Sequence, residues 1–195
     1  NDANVSLVGV DNGLSGIVID TIAPVLTEVN AVVSISDNVT PSYVFTTDIA
    51  GTITSSLPFS TSTDATPGSN QTITFTTLSE GIYTGEWVKV TDEAGNVGTL
   101  TISDFRIITT APVLSSSTIP ANTNDPTFTL SSNETGTVTY SSGVKGVSGA
   151  GDVTIITADV TETIKLVKSD GSELDQGEHI VDITFTDAAG NASSI

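Results

Sequence analysis

Carboxylates outnumber every other group able to do chemistry in this sequence. Asp and Glu total 23 against five Lys and Arg, for a net charge of −18 at neutral pH. Such a surface repels a phosphate backbone, which excludes nucleic acid as a partner, and it disfavours an anionic membrane for the same reason. It does suit hard divalent cations, Ca²⁺ first, because these prefer oxygen ligands. The competing explanation is that the charge serves solubility alone.

Acid–base or nucleophilic catalysis needs positioned groups, and few candidates exist. His179, between Glu178 and Ile180, is the single histidine, so a two-histidine metal site cannot be built, and nothing beside it marks a triad. A solvent-facing histidine near a strand start is the simpler reading. Paired carboxylates can hydrolyse glycosides, but here the acids are scattered over turns and strand edges with no aromatic-rich stretch beside them. No Walker loop or dinucleotide fingerprint occurs, and the glycine-rich residues 143–151 lack the Lys-Ser/Thr ending, reading as a flexible loop. With no cysteine, disulfides, thiol catalysis, thiolate zinc sites and iron–sulfur clusters are excluded. The expectation is a protein that is not an enzyme.

Trp87 is the one tryptophan, and by alternation it faces away from Val88 and Val90. If those two point inward, Trp87 either anchors an interface or a sugar, or is covered by a loop. Lys89 near Glu86 raises the idea of an intramolecular isopeptide bond, but a lone Lys with ordinary neighbours argues against it. Asn-x-Ser/Thr sequons at Asn4, Asn38, Asn70, Asn133 and Asn191 are candidate glycosylation sites, which place those residues on exposed surface if glycans are carried.

The elements that must position these groups are strands. Hydrophobic residues make up 37% of the 195, enough for packed cores, and Val and Ile alternate with Thr and Ser. No apolar stretch approaches the ~20 residues that span a bilayer. An internal repeat organises the chain. Ala23-Pro24-Val25-Leu26 recurs as Ala111-Pro112-Val113-Leu114, and Thr40-Pro41-Ser42-Tyr43-Val44-Phe45 is echoed by Asp125-Pro126-Thr127-Phe128-Thr129-Leu130. Ala50-Gly51-Thr52-Ile53-Thr54 is echoed by Thr135-Gly136-Thr137-Val138-Thr139, and Thr91-Asp92-Glu93-Ala94-Gly95-Asn96 by Thr186-Asp187-Ala188-Ala189-Gly190-Asn191. The order is kept throughout, and wider spacing late in the second copy predicts an insertion within 141–177. Alternation puts Tyr43 with Phe45, Ile73 with Phe75, Val88 with Val90 and Ile183 with Phe185 on inward faces. Pro41 and Pro126 fall at strand starts, where a missing N–H does least harm. Residues 161–168 admit a helix or, since Ile164 and Leu166 alternate, a further strand. Many short strands in ~90 residues predict a β-sandwich per copy.

Two motifs carry a family resemblance. Asp20-Thr21-Ile22-Ala23-Pro24 resembles the linker between bacterial immunoglobulin-like (Big-type) tandem repeats. Asp92-Glu93-Ala94-Gly95-Asn96 and Asp187-Ala188-Ala189-Gly190-Asn191 resemble the turn joining the last two strands of such repeats. The resemblance implies an all-β fold of two tandem immunoglobulin-like sandwiches, and a stalk of a secreted or cell-surface adhesin or fibre. It also implies Ca²⁺ at domain junctions, with Asp20, Asp92 and Asp187 as ligand candidates. At the second junction Ile108 replaces the linker aspartate, so a site of the same pattern is not expected there. The turn has its own chemistry besides: Asp and Asn bond nearby backbone, and Gly supplies positive φ.

The predicted organisation is an N-terminal strand or linker segment, 1–22, then domain one, 23–110, and domain two, 111–195, lacking its last strand. The opening on Asn1 without a signal peptide reads as a processed chain or an excised fragment. Val8, Val10, Ile17 and Ile19 repeat the apolar alternation of Leu100, Ile102, Phe105 and Ile107. The expectation is that Val5, Leu7, Val8, Val10, Ile17 and Ile19 form a donor strand that completes domain two of the next copy, giving an open head-to-tail filament. A stalk repeat of a long adhesin and a carbohydrate-binding module, taking a surface glycan or a cell ligand, are the alternatives.

Overall fold

The computed structural model describes residues 19–119, 123, 125–141, 143–149 and 151–195. These form strands and no helix: β1 (Leu26–Asn30), β2 (Ile35–Ser36), β3 (Ser42–Thr47), β4 (Gly51–Ser55), β5 (Asp64–Ala65), β6 (Asn70–Thr74), β7 (Gly81–Tyr83), β8 (Trp87–Thr91), β9 (Val97–Thr101) and β10 (Phe105–Ile107). There follow β11 (Leu114–Ser116), β12 (Thr127–Ser132), β13 (Gly136–Tyr140), β14 (Val144–Ser148), β15 (Gly151–Asp152), β16 (Ile155–Ile156), β17 (Glu162–Lys168), β18 (Ile183–Asp187) and β19 (Ala192–Ser194). The protein is all-β. Its described residues divide into two compact units, one running to Ser34 and over Asn38–Ile107, the other comprising Ile35–Asp37 and Ile108–Ile195.

In the first unit one sheet has the order β1-β3-β6 and another β5-β4-β8-β9. Period-two alternation aims Tyr43, Phe45 and Ile73 from the first sheet, and Ile53, Val88 and Val90 from the second, into one core where each is at most 3% exposed. Thr and Ser take the outward positions, since a β-branched or small hydroxyl side chain suits a pleated surface that faces water. After β9 the chain leaves its sheet at Ile102, and β10 pairs instead with β7: Phe105 lies opposite Tyr83 and Ile107 opposite Gly81. Phe105 stacks on Tyr83 with ring centroids 4.8 Å apart and on Phe75 at 6.5 Å. Ile102, Phe105 and Ile107 are all buried, so this segment closes the core.

The second unit repeats that plan. β11-β12-β17 corresponds to β1-β3-β6, and β16-β13-β18-β19 to β5-β4-β8-β9. Phe128, Leu130 and Ile164 face Val138, Ile183 and Phe185 across its core. The insertion is a hairpin, β14 and β15, and it extends the first sheet to the order β11-β12-β17-β14-β15. Gly146 admits it: a Cβ there would stand 2.2 Å from the Tyr140 hydroxyl. Residues 161–168 resolve as strand β17, because pairing with β12 and β14 on both sides gives its alternating Ile164 and Leu166 a sheet to belong to. A strand also follows the second turn. That strand, β19, corresponds to β9 and pairs with β18, Thr184 to Ser194. Among the described residues of 108–195 there is no counterpart of β10. Of the expected donor-strand residues, Val5, Leu7, Val8, Val10 and Ile17 lie outside the described residues, and Ile19 is 48% exposed.

Candidate functional site

The two Asp-x-Ala-Gly-Asn turns are self-contained hydrogen-bond cages. In the first, the Asp92 N–H donates to the Asn96 carbonyl at 3.1 Å and the Gly95 N–H to the Asp92 carbonyl at 3.2 Å. The Asp92 carboxylate accepts the Asn96 backbone N–H at 2.8 Å and the Asn96 Nδ2 at 2.9 Å. In the second, Asp187 Oδ1 accepts the N–H groups of Ala189, Gly190 and Asn191, each at 2.8 Å, while Oδ2 accepts Asn191 Nδ2 at 2.9 Å. Gly95 and Gly190 hold φ of 92° and 101°, a region open to glycine and strained for other residues. The Asn96 side-chain bond leads in holding the Asp92 carboxyl below the usual range. For Asp187, burial pushes the carboxyl up, and the bonds from Asn191, Ala189 and Gly190 together outweigh it, so the group also lies low.

Each turn grips the linker at the start of its own repeat. Asn96 Nδ2 donates to the Asp20 carbonyl at 3.3 Å, and Asn191 Nδ2 to the Ile108 carbonyl at 3.0 Å. Asp20 and Ile108 occupy the same place in the repeat, three residues before Ala-Pro, and a backbone carbonyl makes their different side chains irrelevant to the grip. A second clamp follows. The Val25 N–H donates to Asp48 Oδ1 at 2.7 Å while the Asp48 N–H donates back to the Val25 carbonyl. Val113 and Asn133 do the same, also at 2.7 Å. The repeats differ at one point. Gly98 lies so close to the linker that a Cβ would stand 2.0 Å from the Pro24 carbonyl oxygen, whereas its counterpart Ser193 donates its hydroxyl to the Pro112 carbonyl.

The expected metal ligands are placed within these contacts. The Asp92 and Asp187 oxygens are turned into their own loops, and the Asp20 carboxylate accepts the Ile22 N–H at 3.0 Å. The turn joins Asp20 to Asp92 through the Asn96 amide and a backbone carbonyl, not through paired carboxylates. Among the described residues no three His, Asp or Glu side chains converge to hold a metal. The linker clamps by Asn96, Asn191, Asp48 and Asn133 were not read from the sequence. Each stands at the same place in its local motif in both copies, Asp48 and Asn133 seven residues after Pro41 and Pro126, Asn96 and Asn191 four after Asp92 and Asp187.

The remaining candidates are placed as follows. Trp87 is half-buried on the outer face of β8, opposite the inward Val88 and Val90, and Lys89 Nζ lies 4.1 Å above its ring centroid. That stacking occupies the lysine. His179 is exposed, with Nε2 2.7 Å from the Asp175 carbonyl. Among the sequons, Asn38, Asn70 and Asn133 are exposed and Asn4 lies outside the described residues. Asn191 is half-buried and commits its amide nitrogen to Ile108 and Asp187, so a glycan there would break the second linker grip.

The edge that closes the first core has an unfinished equivalent in the second unit. Gln176-Gly177-Glu178-His179 stands where Glu80-Gly81-Ile82-Tyr83 stands in repeat one. Gly177 and Gly81 share a positive φ, 147° and 159°. The His179 ring nitrogen contacts the carbonyl four residues back at 2.7 Å, as the Tyr83 hydroxyl does with Ser79 at 2.7 Å. Yet residues 177–182 form no strand. Among the described residues none of Gly177, Glu178, His179 or Ile180 makes a backbone–backbone hydrogen bond, and Ile180 is 84% exposed. The physical reason is that β7 forms by pairing with β10, and no described residue of 108–195 pairs with 177–180 in that way.

No protein-family model matches the chain, and no curated protein matches it.

Proposed function

We propose that the chain is a structural element of an extracellular or cell-surface fibre, built of two immunoglobulin-like sandwiches and assembled head to tail. In this reading the N-terminal segment of one copy completes domain two of the next, and the protein is not an enzyme. One observation carries it. Domain one is closed by Ile102, Phe105 and Ile107, and among the described residues of 108–195 no strand stands at the matching place. A segment whose backbone is unpaired, as 177–180 is among the described residues, is a template for strand addition.

The polar apparatus fits the same reading. The turns and clamps tie each linker to its repeat, which suits an element that bears tension along its axis better than one that binds a small ligand. The net charge of −18 keeps such copies apart except where strands pair. A stalk repeat of a long adhesin is the second reading, favoured by the identical linker grips at Asp20 and Ile108. Glycans at the exposed sequons belong to either reading as additions, whereas calcium at Asp20, Asp92 and Asp187 would have to compete with the hydrogen bonds those carboxylates already accept.

The test is mass in solution across a concentration series, for the 195-residue chain and for the chain without residues 1–20. The expected result is a ladder of oligomers for the first and a monomer for the second. A stable monomer in both cases overturns assembly by strand donation and leaves the stalk reading.

A further inference from the structure

We infer that the outward face of β4, β8 and β9 is a binding site for a carboxylated sugar. Lys89 takes the carboxylate, and Trp87 with the flanking threonines takes the sugar ring. The site uses none of the turn or clamp residues and does not depend on how copies assemble.

Strand alternation sends Ile53, Val88 and Val90 into the core, and so puts Thr54, Trp87, Lys89, Thr99 and Thr101 on the opposite side. Register sets these in two rows. Thr54, Lys89 and Thr99 stand abreast, and Trp87 stands beside Thr101. At ordinary strand spacings the five cover roughly 10 by 7 Å, a patch that one or two sugar rings fill. Lys89 Nζ lies 4.1 Å from the indole centroid. An ammonium carries three N–H donors, and an aromatic ring engages only one side of it. Lys145, Lys165 and Lys168 each pair with a carboxylate, whereas Lys89 pairs with none among the described residues. Glu86, next to Trp87, is taken by the Ser56 hydroxyl at 2.5 Å. The hydroxyls of Thr54, Thr99 and Thr101 are on exposed residues and, like the indole N–H, make no hydrogen bond among the described residues.

The second repeat demonstrates that the fold needs none of this. There Asp182 stands for Trp87, Thr184 for Lys89, and Thr139 and Ser194 for Thr54 and Thr99. That row closes on itself. The Thr139 hydroxyl donates to the Thr184 carbonyl at 3.4 Å, and the Thr184 and Ser194 hydroxyls lie 3.2 Å apart. Repeat one builds the same sheet and leaves the row open beside a tryptophan and a cation. An aromatic surface among open donors and acceptors suits a sugar, whose C–H face is apolar and whose rim is hydroxyl. The cation selects a carboxylate on that sugar, because a charge-assisted hydrogen bond is the stronger kind. Lys89 is the one charged group among the five, and carboxylates elsewhere in the chain are screened beyond about 8 Å at physiological salt.

Trp87 is the single tryptophan, so the fluorescence of the full chain reports on this face directly. Titration with trigalacturonic acid or with sialyllactose should change the emission saturably. The neutral counterparts, the carboxyl-reduced trimer and lactose, should bind roughly tenfold more weakly. A response to the first acid alone marks a uronic acid site, and to the second alone a sialic acid site. Lys89→Thr, which installs the residue of repeat two and keeps the reporter, should weaken binding roughly tenfold or more. Thr54→Val and Thr99→Val should each weaken it about two- to tenfold. Thr184→Val, on the matching face of repeat two, should leave the affinity unchanged. Calorimetry on Trp87→Asp, again the residue of repeat two, should find binding lost. No saturable response to either acid overturns the site. Equal affinity for the acidic and neutral sugars overturns the role of Lys89. Binding that survives both Lys89→Thr and Trp87→Asp puts the sugar elsewhere and overturns the assignment. Oligomers that dissociate on Trp87→Asp, with no sugar bound by the native chain, make this face a contact between copies and overturn it as well.

Discussion

The two repeats place the same turns, the same clamps and the same inward-facing pairs on two sequences that share few residues between the motifs. They part company at the closing edge. Domain one spends the nine residues after Gly98 in crossing from one sheet to another, and buries Ile102, Phe105 and Ile107 on the way. Domain two forms no strand at the matching residues 177–182, although Gly177 and His179 keep the φ and the four-back contact of Gly81 and Tyr83. It also diverts 144–152 into an added hairpin on its other sheet. The difference teaches that β7 is not a strand by its own propensity. Gly81-Ile82-Tyr83 becomes one because β10 lies beside it, and the equivalent tripeptide without that neighbour does not.

The strongest way to break this comparison is to make domain one resemble domain two. Phe105→Ala should cost about 3–5 kcal/mol, the usual range for emptying a buried aromatic site. Denaturation followed separately in each unit should show the first losing stability and the second unchanged. Equal losses in both would mean that closing the core is not a local matter.

Next comes the glycine that separates the linker contacts. Gly98→Ser gives domain one the residue that domain two carries at the same place, yet it should destabilise by about 1–3 kcal/mol, because the Cβ would be driven into the Pro24 carbonyl. The reverse exchange, Ser193→Gly, should cost only about 1 kcal/mol, the worth of one hydroxyl bond plus some backbone entropy. Thermal melts of the two variants check the asymmetry.

The turns should differ in degree. Asp187 accepts three backbone N–H groups and an amide, where Asp92 accepts one backbone N–H and an amide. Asp187→Ala should therefore cost about 2–3 kcal/mol, and Asp92→Ala less. Both carboxyls lie below their ordinary value of 3.8 in the folded state. Their contribution is thus complete at neutral pH, starts to be lost as the pH falls through 3.8, and is gone below the folded value. Melting temperatures measured from neutral to strongly acidic pH should fall with less slope in Asp187→Asn than in the native chain. An unchanged slope would show that this carboxylate does not carry the acid sensitivity.

The smallest expected effect is that of a chelator. A protein loses stability on metal removal in proportion to how tightly it held the metal, and here both oxygens of each turn carboxylate are engaged within their own turn. Removing Ca²⁺ should leave both melting transitions in place. A drop of several degrees in the first transition alone would return Asp20 and Asp92 as ligands, and the two repeats would then differ in metal binding as well.

Much of this architecture was legible in the residues themselves. Period-two alternation located Tyr43, Phe45, Val88, Val90, Ile183 and Phe185, since a strand has one wet face and one dry one and no third choice. The Asp-x-Ala-Gly-Asn turns were legible because their chemistry spans four residues. Residues 161–168 were ambiguous because a short apolar alternation fits helix or strand until a neighbour pairs with it. The linker grips were not legible, since Asn96 and Asn191 reach carbonyls 76 and 83 residues away. A donated hydrogen bond leaves no mark on the identity of the residue whose backbone carbonyl accepts it, which is why Asp20 and Ile108 can serve alike.

By itself, then, the sequence determined the strand character, the repeat, the turns and the inward faces, all set by interactions between residues close in the chain. Tertiary structure alone decided which sheet the closing segment joins, whether Gly177-Glu178-His179 becomes a strand, and what the turn asparagines hold. Those outcomes depend on which backbone lies alongside, and a hydrogen-bond partner supplied from elsewhere in the chain is invisible to any local pattern.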